Sequence, residues 1–293
     1  MSRLGTEMTG LAKKAGGSHK TVHDRIQTVR SFSQQLKTMN IQLQRVAQIK
    51  VRHIESYTEA RLAQGVAKRT LQNEMAALRS VLHQAGRPQV AEHERLTNHA
   101  LGLSGASRSG TKQAISDMQY QNILQLAQQR DAGLACVIEL ARLMGLRSQE
   151  AVQCSQSLAG WQQRLAKGET RLPVMFGTKG GRDRQTVVLD REAVSRAVER
   201  ALVIAGERNG RLIDRPDLKS AMGWFRREVW LLGLSGSVSP HSLRYAWAQE
   251  AMWHYLAQGF SKEETLAQTA IALGHGDGRG RYIRQVYGRG MEL

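Results

Sequence analysis

Apolar residues recur every three or four positions through long stretches of this chain that contain almost no proline, and that spacing restricts the fold more than any other feature. From Ser18 onward Val22, Ile26, Val29, Phe32 and Leu36 fall on one face, which predicts a helix ending near Asn40. Val51 to Leu62 repeats the pattern through Ile54, Tyr57 and Leu62. A third helix carries Leu71, Met75, Leu78 and Leu82 until Gly86-Arg87-Pro88 stops it. Only four prolines occur, aromatic residues are few, and Ala, Leu, Gln, Arg and Glu run on for long stretches, so the expected fold class is mainly α. A chain of 293 residues is long enough for two domains, each with its own core. Residues 1 to 17 are small, basic and rich in glycine, and are expected to be a short disordered basic tail.

Lys and Arg number 42 against 25 Asp and Glu, a net charge of +17, and a chain so basic is expected to meet a polyanion, nucleic acid first. The first three helices carry His19, Lys20, Arg25, Arg30, Lys50, Arg52, Lys68, Arg69 and Arg79 on their polar sides, which is either a solvated face or a set of phosphate contacts. A membrane-surface role fits poorly, because the charges are scattered and no apolar run could span a bilayer. No apolar core of a signal peptide stands at Met1 to Gly16, so the cytoplasm is the expected compartment. Cys136 and Cys154 have no partner spacing for zinc or a disulfide framework, and neither a metal nor a cofactor is expected.

Leu101 to Gln113 mixes Gly, Ser and basic residues without an apolar period and reads as a linker. Ser116-Asp117 opens a helix through Ile123 and Leu126, and a further helix spans about Ala132 to Met144, ended by Gly145. Next comes L-R-S-Q-E, with Arg147 and Glu150 three apart. Taken alone this is as well read as a surface ion pair. Cys154 to Lys167 is amphipathic and helical. Arg171 to Phe176 and Gln185 to Leu189 are strand candidates around G-T-K-G-G-R-D, which puts Lys179 at a hairpin tip. Two more helices follow, Asp190 to Glu207 and Asp217 to Leu232. In the second, Trp224, Phe225 and Trp230 recur at helical spacing and are expected to be core anchors.

The densest chemistry lies between Ser239 and Tyr287. Ser239 and Pro240 suit a helix start, and the helix should run to about Gln258, with His241 and Arg244 on one face of its first turn. An anion there would meet orphan backbone N–H groups as well as both side chains. Ser261 and Glu264 have capping-box spacing for a helix to about Ala272, after which L-G-H brings His275. Tyr282 and Tyr287 follow beyond a G-D-G-R-G loop. A five-residue separation turns a helical side chain by roughly 140°, so only one of the two phenols can face the histidines. The loop lengthens the path and favours Tyr287, while Tyr282 would pack or touch a ligand.

H-x-x-R, then L-G-H-G, then a late tyrosine together resemble the catalytic box of the tyrosine recombinases, the phage-integrase family. The G-L-R-x-x-E around Arg147 resembles that family's first arginine motif, and T-K-G-G-R-x-R its β-hairpin lysine motif. The resemblance implies a helical core-binding domain plus an α-rich catalytic domain with a small antiparallel β-hairpin. The expected boundaries are a basic tail 1–17, a DNA-clamping core-binding domain 18–100, a linker 101–115 and a catalytic domain 116–293. It implies a site-specific recombinase or integrase that cuts and rejoins double-stranded DNA through a 3′-phosphotyrosyl intermediate, as a homotetramer on two DNA sites. Arg147 and Arg244 would hold the phosphate, with Glu150 supporting, and His275 would support that clamp. His241 would take the proton of Tyr287, and Lys179 would protonate the departing 5′ oxygen. A type IB topoisomerase-like enzyme or a non-catalytic DNA-binding regulator on the same fold are the alternatives. Two departures are visible. Ser242 stands where many relatives have an acid and Tyr245 where many have a second histidine, and the chain ends six residues after Tyr287, where many relatives continue into a docking helix.

Overall fold

The computed structural model describes residues 2–107 and 109–291 and divides into two compact units between residues 107 and 108. Among the described residues the first unit contains five α-helices: α1 (Arg3–Lys14), α2 (His19–Thr38), α3 (Val51–Ala63), α4 (Lys68–Gln84) and the short α5 (Pro88–Ala91). Ser18 caps α2 by accepting from the Thr21 N–H. The apolar face predicted for α2 is the buried one, with Val29, Phe32 and Leu36 packed among Tyr57 of α3 and Leu71, Met75, Leu78 and Leu82 of α4.

The expected disordered tail is a correction: residues 3–14 are helical and part of this core. Ser2 caps α1 through a 3.1 Å bond from the Gly5 N–H, and Leu4, Met8 and Ala12 bury one stripe four residues apart. Glycines at 5 and 10 lower helix propensity, but burial of the stripe outweighs that local cost. Glu7 accepts from the Val46 N–H at 3.0 Å, and Arg25 donates to the carbonyls of Ala12 and Gly16 at 2.9 and 3.0 Å. Arg25 therefore holds α1 in place. Arg79 likewise turns to the carbonyl of Leu96, so part of the expected basic face is occupied in folding. The expected linker is also mostly built in. Leu101 and Leu103 belong to the first unit's core, while Ile115 is buried in the second.

The second unit holds α6 (Asp117–Arg130), α7 (Ala132–Met144), α8 (Ser148–Val152), α9 (Leu158–Ala166), strands β1 (Arg171–Val174) and β2 (Arg184–Val187), then α10 (Arg191–Glu207), α11 (Leu218–Leu231), α12 (Pro240–Ala257), α13 (Lys262–Ala272) and α14 (Gly280–Val286). α7 is apolar nearly all round, so it is the buried axis, packed by α6, α10 and α12. β1 and β2 pair antiparallel, Arg171 opposite Val187 and Val174 opposite Arg184. This hairpin is the whole sheet among the described residues. The other side of α12 packs against α13 and α14 in a separate cluster containing Trp247, Met252, Tyr255, Ile283 and Tyr287.

The aromatic residues of α11 part company. Phe225 is buried and Trp224 half-buried, but Trp230 is 64% exposed, a correction to its reading as a core anchor. Phe225 and Val229 take the inward face, and Trp230 follows Val229 by one residue, a step of about 100° out of that face. Among the described residues no helix is long and apolar enough to cross a membrane, and no three His, Cys, Asp or Glu side chains are grouped to hold a metal ion.

Candidate active site

Two helix ends and one carboxylate organise the site. The last carbonyls of a helix lack intrahelical partners and carry partial negative charge. At the end of α7 the Gly145 carbonyl accepts from Arg184, at 3.1 Å, and from Arg244. At the end of α13 the Ala272 carbonyl accepts from Arg184 at 2.6 Å, and the Leu273 carbonyl accepts from Arg147, at 3.1 Å, and from Arg244. Glu150, on α8 and 1% exposed, lies among the three guanidiniums: 2.5 Å from Arg147, 2.8 Å from Arg184 and 3.7 Å from Arg244. It also accepts the Arg147 backbone N–H at 2.8 Å, so it fixes that residue's main chain and side chain together. Burial pushes the Glu150 carboxyl up, but Arg184, Arg244 and Arg147 outweigh it and hold the pKa at about 2. Arg147 and Glu150, three apart in sequence, are thus part of an interior cluster rather than a surface pair.

Sequence reasoning missed Arg184. It is the last residue of T-K-G-G-R-x-R, a motif whose lysine drew attention, and its place at the start of β2 points it inward beside Thr186. Gly274 belongs to the same contact. At φ +69° it lets the chain leave α13, and a Cβ there would sit 2.8 Å from Arg184 Cδ. The glycine of L-G-H therefore makes room for the arginine of β2.

His241 stands in the first turn of α12, started by Ser239 as expected, with the Ser239 N–H donating to Ser242 Oγ at 3.0 Å. Arg244, one turn on, is completely buried. His275 follows Gly274. Tyr287 caps α14, and its hydroxyl lies 3.4 Å from His275 Nε2, 3.5 Å from His241 Nε2 and 3.5 Å from Arg244 Nε. Tyr282 meets this group only through its ring, 4.8 Å from His275 between centroids. Tyr245 packs its ring 4.6 Å from that of Tyr287. Lys179 lies at the hairpin tip in a short 3₁₀ turn, followed by Gly180 and Gly181 with φ of +74° and +68°. A cleft of about 690 Å³ is lined by Arg147, Lys179, Arg182, His241, His275, Arg279, Tyr282 and Tyr287. Five of the six predicted site residues thus line one cleft, and the sixth, Arg244, reaches the Tyr287 hydroxyl from behind.

Burial, then Arg244 and Arg147, lower the pKa of His241 to about 4 and that of His275 to about 3. Both imidazoles are therefore neutral at pH 7 and each can accept a proton. Burial also lowers Arg244, to about 10, which leaves it charged. The site combines a phenol, neutral bases and fixed cations, an arrangement suited to a phosphodiester anion.

Comparison with known proteins follows the same division of the chain. The family model for Integrase matches residues 102–250, and that for Phage integrase, N-terminal, matches residues 1–91. No curated protein matches in sequence. Among solved structures, a lambda integrase tetramer bound to a Holliday junction is 19% identical with a TM-score of 0.58, over 98% of this chain and 77% of that one. The Tn1549 transposon integrase in complex with a circular intermediate DNA is 14% identical with a TM-score of 0.62, over 95% and 94%. At these identities the structures show a shared fold. With half the sequence under the Integrase model and the N-terminal unit under its companion, this chain belongs to the integrase family and is a site-specific tyrosine recombinase.

Proposed function

We propose that the cleft cuts and rejoins double-stranded DNA with Tyr287 as the nucleophile. The observation that carries this reading is the Tyr287 hydroxyl, within 3.5 Å of two neutral imidazoles and a buried guanidinium. Tyr287 Oη attacks the scissile phosphorus and its proton passes to His241 Nε2. The bond from phosphorus to the 5′ oxygen breaks, and Lys179 delivers a proton to that oxygen. A 3′-phosphotyrosyl bond remains, and the 5′ hydroxyl of a partner strand reverses the step. Since the phosphotyrosyl bond conserves the energy of the broken one, rejoining draws on no nucleotide hydrolysis. Arg147, which lines the cleft, holds the non-bridging oxygens, and Arg244, buried behind the Tyr287 hydroxyl, adds fixed positive charge that stabilises the transition state, with His275 beside them. Their donors are fixed beforehand by Glu150 and the helix-end carbonyls, so little reorganisation accompanies the reaction.

Lys179 is exposed and followed by two glycines, which suits a residue that must reach a ligand rather than rest on the protein. The first unit is the expected DNA-clamping domain. Four protomers on two DNA sites is the proposed assembly, supported by the tetrameric state of the lambda integrase complex. The test is a nicked duplex that traps the covalent adduct, with Tyr287→Phe and Tyr282→Phe compared side by side. Loss of the adduct in the first and retention in the second is expected. The reverse result would transfer the role to Tyr282, and no adduct from the unmodified chain would favour a DNA-binding regulator.

A further inference from the structure

α14 has seven residues, too few to be stable by its own hydrogen bonds, so tertiary ties must fix the tyrosine at its end. Burial of Ile283 and Val286 and a 3.1 Å bond from Gln249 to the Tyr287 carbonyl supply some of them, and a second set comes from the segment just before α6. The Gly110 N–H donates to the Gln285 carbonyl at 3.4 Å, and Arg289 donates back to the Gly110 carbonyl. Gly110 lies so close that a Cβ would stand 2.5 Å from the Tyr245 hydroxyl and 2.6 Å from the Val286 carbonyl oxygen. Tyr245 in turn packs its ring on Tyr287. Further along, the same segment binds the approach to α12: Lys112 donates to the Gly236 carbonyl, the Gln113 N–H to Ser237 at 3.1 Å and the Ile115 N–H to Ser242 at 3.3 Å. One length of backbone is therefore hydrogen-bonded both to the residues around His241 and to those around Tyr287.

We propose that residues 110–115 act as a clasp that sets Tyr287 in register with His241, which makes Gly110, Tyr245 and Arg289 positioning residues for strand cleavage. The proposal rests on Tyr287 being the nucleophile. It accounts for a glycine at 110, where any side chain would push the end of α14 away. It also gives a use to Tyr245 at the position where the family resemblance leads one to expect a histidine. A tyrosine is long enough to span from the Tyr287 ring to the clasp.

The test uses the full chain and the adduct-trapping duplex at saturating concentration. Arg289 is exposed, so Arg289→Ala is expected to fold normally. Its adduct should form about tenfold or more slowly, as small misplacements of reacting groups do. Duplex affinity should stay within about twofold, because affinity is spread over many phosphate contacts. Arg289→Lys, which keeps a donor, should recover most of the rate, and Gly110→Ala should lose it. Retained duplex affinity separates misplacement from a general loss of structure, and a substrate whose bridging 5′ oxygen is replaced by sulfur separates it from a loss of leaving-group protonation. Its thiolate leaves without a proton, so it should rescue Lys179→Ala and not Arg289→Ala. Wild-type adduct rates in both Arg289→Ala and Gly110→Ala would overturn the clasp, as would rescue of Arg289→Ala by the sulfur substrate. Adduct formation by Tyr287→Phe would instead remove the nucleophile reading on which the clasp depends.

Discussion

At the scale of single residues, the two cleft imidazoles tie the chemistry to stability. His241 and His275 have folded-state pKa values of about 4 and about 3, below the ordinary 6.5 that each regains on unfolding. Between those values and 6.5 the unfolded chain binds more protons than the native one, so stability rises with pH across that window and falls as the solution is acidified. Glu150, depressed to about 2 from 4.5, adds a loss in the same direction at lower pH. The urea midpoint is therefore expected to drop between about pH 7 and pH 5, and to drop less in a His241→Gln, His275→Gln double variant. Equal slopes would show that these imidazoles are not held neutral. The residues of the cleft were largely legible in the sequence, because H-x-x-R, L-G-H and the two tyrosines are short-range patterns. Arg184 was not, since its burial depends on two helix ends brought together from residues about 40 and 90 positions away. The glycine-rich loop already favoured Tyr287 over Tyr282 in the sequence; both line the cleft, and the Tyr287 hydroxyl is the one placed within 3.5 Å of both imidazoles.

At the scale of elements, α1 shows where composition misleads. Its glycines and lysines match those of a mobile tail, yet the spacing of Leu4, Met8 and Ala12 is that of a helix with one buried face. Local propensity and tertiary burial oppose each other here, and burial wins. Removing residues 2–15 would expose the facing surfaces of α2 and α4 and lose the burial of a leucine and a methionine, about 3–6 kcal/mol by side-chain transfer. A truncated chain is expected to unfold at a markedly lower denaturant concentration in its first unit, while the second unit's transition stays put. An unchanged first transition would mean that α1 adds nothing to that core. Elsewhere, helices with strong caps matched their expected bounds closely. Ser261 with Glu264 and the Asp190 and Asp217 caps are signals contained within four residues, whereas the outward turn of Trp230 depends on which face its neighbours cover.

At the scale of the whole molecule, a net charge of +17 sets how DNA is held. Each phosphate neutralised releases condensed counterions, so affinity should fall linearly in logarithmic terms with salt. Duplex binding measured from low to moderate salt is expected to show a steep negative slope, and a flat response would contradict a chiefly electrostatic grip. The interior cluster adds a subtler effect. Three guanidiniums converge on a single carboxylate, and the imidazoles beside them contribute no negative charge, so the native chain alone leaves positive charge unbalanced below its surface. Under the proposed function a phosphodiester bound in the cleft would supply the missing anion. Because a ligand that binds only the folded form must stabilise it, occupancy of the cleft and integrity of the fold are thermodynamically reciprocal. On that reading the protein is least stable when unbound, and the DNA in its cleft would act as one of its structural counter-ions.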